Sequence, residues 1–327
     1  MDKDNEIVES FGKGGIKDKP DERDYQYSQI AEGTAPFDWS KPFDVEISVS
    51  KIPVKNQYQS YSCGGQAWAS YSYILDQSIR EEKSAKFIYA QTHVGSGGSD
   101  GRTNSNLCVK KGVSSEKDCP SYLPDGTTSE AFITNVGDIT ALAYADALTN
   151  EEKTYWSVNT DIESIAQAVR DNNGVVIGIY GQNNGTWLTK FPLPPTDYTQ
   201  AWAHWVYVGK ALMINGKKYL GFLNSWGVSV GEQGWQYISE DYFPKGIWSC
   251  WAMVYNTQAV QKFVFTKILR LGSTGLDTKM LQTKLGITAD GIFGKITMKT
   301  VMDFQHNHGL VADGIVGKLT NQMLNSF

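Results

Sequence analysis

The sequence predicts an α+β protein followed by a small, separate helical unit. Three observations carry this: helical periodicity dominates the first half of the main region, strand-like segments dominate its second half, and the last 65 residues repeat themselves. At 327 residues the chain also exceeds the size that one hydrophobic core usually serves, so more than one domain is expected. A composition of 41% hydrophobic and 20% charged residues is that of an ordinary globular protein.

The elements follow in order. Residues 1–33 are polar and rich in Gly, Lys and Asp, with no helical or strand period, and read as an extended arm. The main domain is placed at 34–258. Within it a helix is predicted over about 63–80, with Ala67, Trp68, Tyr71, Ile74 and Leu75 forming an apolar stripe. A second helix is predicted over 162–170, and the apolar run 175–180 after it reads as a buried strand. Strand-like segments 202–208 and 219–223 flank Asn215-Gly216, a hairpin-turn signal. Helices first and strands afterwards mean segregated elements, hence α+β. The tail domain is placed at 265–327. There Ala289-Asp290-Gly291-Ile292-Phe293-Gly294-Lys295-Ile296-Thr297 recurs as Ala312-Asp313-Gly314-Ile315-Val316-Gly317-Lys318-Leu319-Thr320. Such self-similarity marks a duplicated turn-plus-helix unit, with each helix expected to start near the Thr. The boundary between domains is expected within 257–265.

The net charge of -5 conceals an asymmetry. Residues 263–327 hold seven Lys/Arg against four Asp/Glu, and the remainder holds 23 against 31. A mildly basic tail suits an anionic surface such as a cell wall. Basic patches interleaved with aromatics, which would suggest nucleic acid, are missing. The N-terminus, Met-Asp-Lys-Asp-Asn-Glu, is charged, and no apolar run follows that could serve as a signal-peptide core or a membrane span. The expected location is therefore extracellular or wall-associated, with the signal removed or with release by another route such as phage-induced lysis. Four cysteines are too few and too scattered for a disulfide scaffold. Cys108 and Cys119 read as two separate thiols, with a bridge between them as the lesser alternative. No C-x-x-C pair or H-E-x-x-H occurs, and His306-x-His308 reads as an exposed loop pair, so neither metal nor cofactor is expected. A monomer is expected.

Chemistry gathers around Cys63. A thiol at the start of a helix feels the positive end of the dipole and the free N–H groups of the first turn, which favour the thiolate. A thiolate needs an imidazole to hold charge and to protonate the leaving amine. Of the four histidines, His306 and His308 lie in the tail and His93 in a polar stretch, whereas His204 opens the apolar strand Trp205-Val206-Tyr207-Val208. Asn224, at the end of the strand across the hairpin, can orient that imidazole. Gln57 can donate an amide N–H to a developing oxyanion, beside the backbone N–H of Cys63. Singly, a buried Cys is most often a small hydrophobe and a His on an apolar segment a satisfied core residue; the joint pattern is what changes the odds.

Pro53-Val54-Lys55-Asn56-Gln57, Ser62-Cys63, Ala203-His204, Asn224-Ser225-Trp226-Gly227 and Gly231-Glu232-Gln233-Gly234-Trp235 resemble the papain family of cysteine peptidases in order and spacing. The resemblance implies a two-lobed fold, one lobe helical and one β-rich. It also implies Cys63 as nucleophile, His204 as base and acid, Asn224 as orienter and Gln57 as oxyanion donor. Trp226 would shield the Asn–His bond, and Gly98 and Ser99 would pair with substrate backbone. Residues 63–68 read Cys-Gly-Gly-Gln-Ala-Trp, where plant and animal members follow the nucleophile with Trp-Ala. The segments 20–25, 84–89 and 111–113 look instead like the bacterial branch. The long helical pro-region of the family's zymogens is missing, which counts against activation by proteolysis.

Leu271-Gly272-Ser273, Leu281-Gln282-x-x-Leu285, the two Asp-Gly-Ile-x-Gly turns and Phe304-Gln305 resemble the three-helix peptidoglycan-binding domain. The expected function is thus a cysteine endopeptidase held at the bacterial wall by its tail. Wall-associated protein and the stem or bridge peptides of peptidoglycan, as for a phage endolysin, compete as substrates. A non-catalytic wall-binding protein is the rival from a different class, disfavoured because all four site residues are intact. A transglutaminase-type transferase would be expected to carry Asp in place of Asn224.

Overall fold

A computed structural model describes residues 3–21, 24, 26–31, 34–49, 51–76, 81–148, 154–243, 245–254 and 268–324. The chain divides into two compact units, Met1–Tyr255 and Asn256–Phe327. The stretch 257–265, where the sequence suggests the boundary, lies outside the described residues, as do Glu22, Arg23 and Tyr25.

In the first unit the main helices are α1 (Lys3–Ser10), α2 (Cys63–Leu75), α3 (Ala85–Thr92), α4 (Gly101–Lys111) and α5 (Ile162–Asn172). Helix α2 is buried on every side, not only along its predicted stripe, and it ends at Leu75, where Asp76 turns extended. Its Tyr71 hydroxyl donates to the carbonyls of Asn172, at the end of α5, and of Met253, 3.1 and 3.0 Å away. One side chain therefore ties the helical lobe to the β lobe.

The strands are β1 (Gly15–Ile16), β2 (Phe43–Asp44), β3 (Ser99–Asp100), β4 (Thr154–Ser157), β5 (Val175–Gly181), β6 (Trp202–Ile214), β7 (Lys217–Leu223), β8 (Trp235–Ser239) and β9 (Ile247–Val254). Seven form one antiparallel sheet in the order β4-β9-β5-β6-β7-β8, with β2 paired to β6. The predicted hairpin is there: Asn215 and Gly216 both take positive φ, 49° and 80°, as a tight turn between twisted strands requires. Side chains alternate across β6. Trp205 and Tyr207 pack into the core shared with α2 and α3, while Val206 and Val208 pack into the core under α5.

The arm departs from its reading as extended chain. Residues Lys3–Ser10 are helical, and Gly15–Ile16 form β1, which pairs in parallel with β3. All four cysteines are free thiols and all are buried.

The second unit has helices α6 (Leu276–Lys284), α7 (Lys295–Asn307) and α8 (Lys318–Leu324) around Leu269, Leu281, Phe293, Val301, Val316 and Leu324. The last two helices start two residues before Thr297 and Thr320. Each Thr is instead a partner in a duplicated network. Gln282 Nε2 donates to Asp290 Oδ1, the Ile292 carbonyl and Thr297 Oγ1, and Gln282 Oε1 accepts the Gly291 N–H. Gln305 does the same with Asp313, Ile315, Thr320 and Gly314. No helix among the described residues is long and apolar enough to cross a membrane.

Candidate active site

Cys63 opens α2, and its thiol lies among backbone N–H groups: its own and those of Gly64, Trp205 and Gly14. His204 sits in β6 opposite Ile179 of β5, two residues inside the strand rather than at its start. On the alternating strand it shares a face with Val206 and Val208, which points it toward Trp226; the two rings lie 5.1 Å apart. Asn224 follows β7, with its N–H bonded to the Gly234 carbonyl. His204 Nε2 meets Asn224 Oδ1 at 3.0 Å, and Trp226, itself buried, covers the pair.

A residue without a role in the sequence reading fixes this arrangement. Gln236, on β8, donates its Nε2 to the carbonyls of Trp187 and Thr189, which can only accept. Its Oε1 must therefore take the Asn224 Nδ2–H, at 2.7 Å. That turns Asn224 Oδ1 to the imidazole, where it also accepts the Ser225 N–H at 2.8 Å. His204 must then carry its proton on Nε2, leaving Nδ1 as a bare lone pair. Nδ1 is buried without a hydrogen-bond partner. A second overlooked residue does the same for Gln57: Ser225 Oγ donates to Gln57 Oε1 at 2.6 Å, so Nε2 faces the cleft. The signal for Ser225 lay in Asn224-Ser225-Trp226-Gly227; for Gln236 there was none, since its partners come from a distant loop.

Comparison with solved structures decides the fold. Xylellain, a cysteine protease from Xylella fastidiosa, is similar at a TM-score of 0.60 and 21% identity, over 75% of this chain and 96% of that one. Procathepsin B S9 from Trypanosoma congolense is similar at 0.59 and 14%, over 76% and 88%. Digestive procathepsin L 3 of Tenebrio molitor larval midgut gives 0.59 and 16%, over 78% and 79%. The first unit has the papain-like fold. Residues 275–324 match the model of the putative peptidoglycan binding domain. No curated protein matches the chain.

On this papain-like frame the cleft is occupied by the chain's own arm. The Gly12 carbonyl accepts Gln57 Nε2 at 2.9 Å, where an oxyanion would be expected, and the Gly12 N–H donates to the Tyr58 carbonyl. Phe11 stacks on Trp226 with ring centroids 5.0 Å apart and planes 4° from parallel. Lys13 lies over the rings of Trp202 and Trp226. The Gly14 carbonyl accepts the Ser99 N–H at 3.0 Å. Gly98 itself, at φ +83°, gives its N–H to the Tyr89 hydroxyl, and a Cβ there would strike the Gly14 carbonyl. Of the two loop residues expected to hold substrate backbone, Ser99 is thus the one that pairs with the arm. The fit demands glycine: a Cβ on Gly12 would lie 1.9 Å from the Ser60 carbonyl oxygen, and one on Gly14 would lie 1.8 Å from that of Tyr61.

The arm enters the electrostatics of the site through the Gly14 N–H and the Lys13 charge. Cys63 and His204 are both fully buried. Burial pushes the Cys63 thiol up to about 11, against the four N–H groups that favour the thiolate. Burial holds His204 down at about 4, opposed by the Asn224 bond and reinforced by the Lys13 charge. Near neutral pH both groups are uncharged in this state. The Gly14 N–H is one of the groups that favour the Cys63 thiolate.

Proposed function

We propose that the chain is a papain-type cysteine endopeptidase of the bacterial wall, anchored by its tail and latent while residues 8–18 fill its cleft. The observation that carries this is the orientation network Gln236–Asn224–His204, with Gln57 locked by Ser225 across from Cys63. It specifies an imidazole whose free nitrogen can act only as an acceptor, which a dead scaffold has no need to maintain.

With the arm displaced, His204 Nδ1 takes the Cys63 proton and the thiolate attacks the substrate carbonyl. Gln57 Nε2 and the Cys63 N–H bind the oxyanion. Collapse expels the amine, which takes the proton from His204; water, deprotonated by the same nitrogen, then releases the acyl group and restores the thiol. Asn224 and Trp226 hold the imidazolium in place. Two of the similar solved structures are pro-forms by name, in keeping with a cleft that is kept closed. The match at 275–324 supports retention on peptidoglycan.

The test is hydrolysis by the full chain carrying Gly14→Val, which cannot seat its arm. Denatured protein and purified peptidoglycan are offered separately. Cleavage of either, abolished by adding Cys63→Ala while wall retention persists, is the expected result. Undiminished cleavage after Cys63→Ala would exclude the mechanism.

A further inference from the structure

Beyond Gly15 the arm continues along β3 and places one side chain in a built pocket. Asp18 Oδ1 accepts the Arg102 N–H at 2.7 Å, and Oδ2 accepts Ser249 Oγ at 3.0 Å and Trp251 Nε1 at 3.1 Å. These donors come from α4 and β9, not from the arm. Arg102 is the second residue of α4, where N–H groups have no partner within the helix. The N-cap Asp100 serves Thr103 and leaves the Arg102 N–H for an outside acceptor. Trp251 is 2% exposed with the arm seated. The Arg102 guanidinium stands 5.8 Å from the Trp251 ring and is held by Asp24 and the Lys19 carbonyl. Burial and the opposing Asp100 charge raise the Asp18 carboxyl, while the three donors lower it.

With the arm out of the cleft, three converging donors are left without acceptors. Donors fixed in one converging geometry favour a replacement acceptor with two oxygens. The pocket lies on the Ser99 side of Cys63, four residues along the arm from Gly14, whose N–H meets the sulfur. Four extended residues span at most roughly 13–14 Å. The leaving half of a substrate must lie where His204 can protonate it, on the Trp226 side. The acyl half then runs along Ser99 toward this pocket.

We propose that the Arg102 N–H, Ser249 Oγ and Trp251 Nε1 form a subsite for a carboxylate on the acyl half of the substrate, which Asp18 borrows in the latent state. The enzyme therefore takes acidic peptides, and such a substrate competes with the arm for its own latch. Two sources share this chemistry: an aspartate or glutamate side chain of a protein, and the α-carboxylate of a γ-linked glutamate in a wall stem peptide. The proposal rests on the peptidase reading above.

The test uses the full chain carrying Gly12→Val and Gly14→Val. Fluorogenic peptides carry glutamate or glutamine at the second, third or fourth residue before the scissile bond, plus a set with γ-linked glutamate as free acid or amide. The expected result is a kcat/KM preference for the acid of about tenfold or more at one position, as for a charge-assisted hydrogen bond. The preference collapses toward unity in Ser249→Ala and Trp251→Phe, which keep the bulk of the wall. Whichever set shows it identifies the source. Equal cleavage of acid and amide at all positions overturns the subsite and leaves the peptidase intact, whereas cleavage of none overturns the peptidase reading first. Should the double variant fail to fold, Gly14→Val alone unseats the arm without touching the pocket donors and gives the same comparison.

Discussion

Both units are organised by buried glutamines, and the two sets differ in reach. In the tail, Gln282 and Gln305 bind partners no more than 15 residues away, and the whole arrangement occurs twice. In the papain-like unit, Gln57 is oriented by Ser225, 168 residues distant, and Gln236 binds carbonyls 47 and 49 residues upstream. The tail networks close a local turn onto a helix, so their loss is a matter of stability. The cleft networks fix which atom of an amide faces which neighbour, so their loss is a matter of chemistry. A buried glutamine is a structural fastener where its partners are local and an aiming device where they are distant.

Substitutions separate these roles. In a chain freed of its arm by Gly14→Val, Gln57→Ala should lower kcat by roughly 10²–10³-fold, the usual loss for one oxyanion donor. Alkylation of Cys63 should stay fast, since the thiolate does not depend on that amide; equal slowing of alkylation and turnover would make Gln57 a tuner of the nucleophile. Gln236→Leu should cost less, about 10- to 100-fold in kcat, as for other lost orienting partners. KM should hold and the pH profile should shift, because the Asn224 amide is then free to flip. In the tail, Gln305→Leu leaves the Gly314 N–H unpaired and should destabilise that unit by about 1–3 kcal/mol in chemical denaturation, with hydrolysis of soluble peptides unchanged. Wall retention by the intact tail should persist from about 0.1 M to about 1 M salt, where screening shortens from roughly 10 Å to roughly 3 Å. Complete release at high salt would reduce the tail to a basic patch.

The arm responds to pH with a sign that its burial of His204 dictates. A group held at about 4 against an ordinary 6.5 is neutral when closed and protonates on exposure. The His204 contribution to closure is therefore fully present above pH 6.5 and is lost as pH falls toward 4. Lys13, lowered from 10.5 to about 8 by burial, weakens closure as pH falls through that interval and adds no further slope below it. Asp18, raised by burial, acts in the opposite sense at the acid end. Tryptophan fluorescence, reporting the Phe11–Trp226 stack, should change between pH 6.5 and 4 in the wild type and stay flat in Gly14→Val.

The range of contacts also governs what the sequence made legible. The tail repeat was readable because every partner recurs at the same short offset, though the helices begin at Lys295 and Lys318, before the residues that signalled them. Residues Cys63, His204, Asn224 and Gln57 could be picked out only as a joint pattern resembling a known family. Nothing local distinguishes His204 from a core histidine. Gln236 was invisible because its meaning depends on the carbonyls of Trp187 and Thr189, which only the folded sheet brings near. The arm misled for the opposite reason. Gly12-Lys13-Gly14-Gly15 has the composition of a linker, yet Gly12 and Gly14 are required by backbone walls at Ser60 and Tyr61 that the sequence does not reveal.

Iodoacetamide alkylation of Cys63 at pH 7, in the wild-type chain and in Gly14→Val, tests the account most directly. Closed, the thiol sits at about 11 and is buried; released toward an ordinary value of about 8.5, its thiolate fraction rises by roughly two orders of magnitude. A rate increase of about 100-fold or more, with wild-type Cys63 nearly inert, is the expected result. Equal rates in the two proteins would mean that the arm does not mask the nucleophile, and the account of a latent cysteine peptidase would be wrong at its centre.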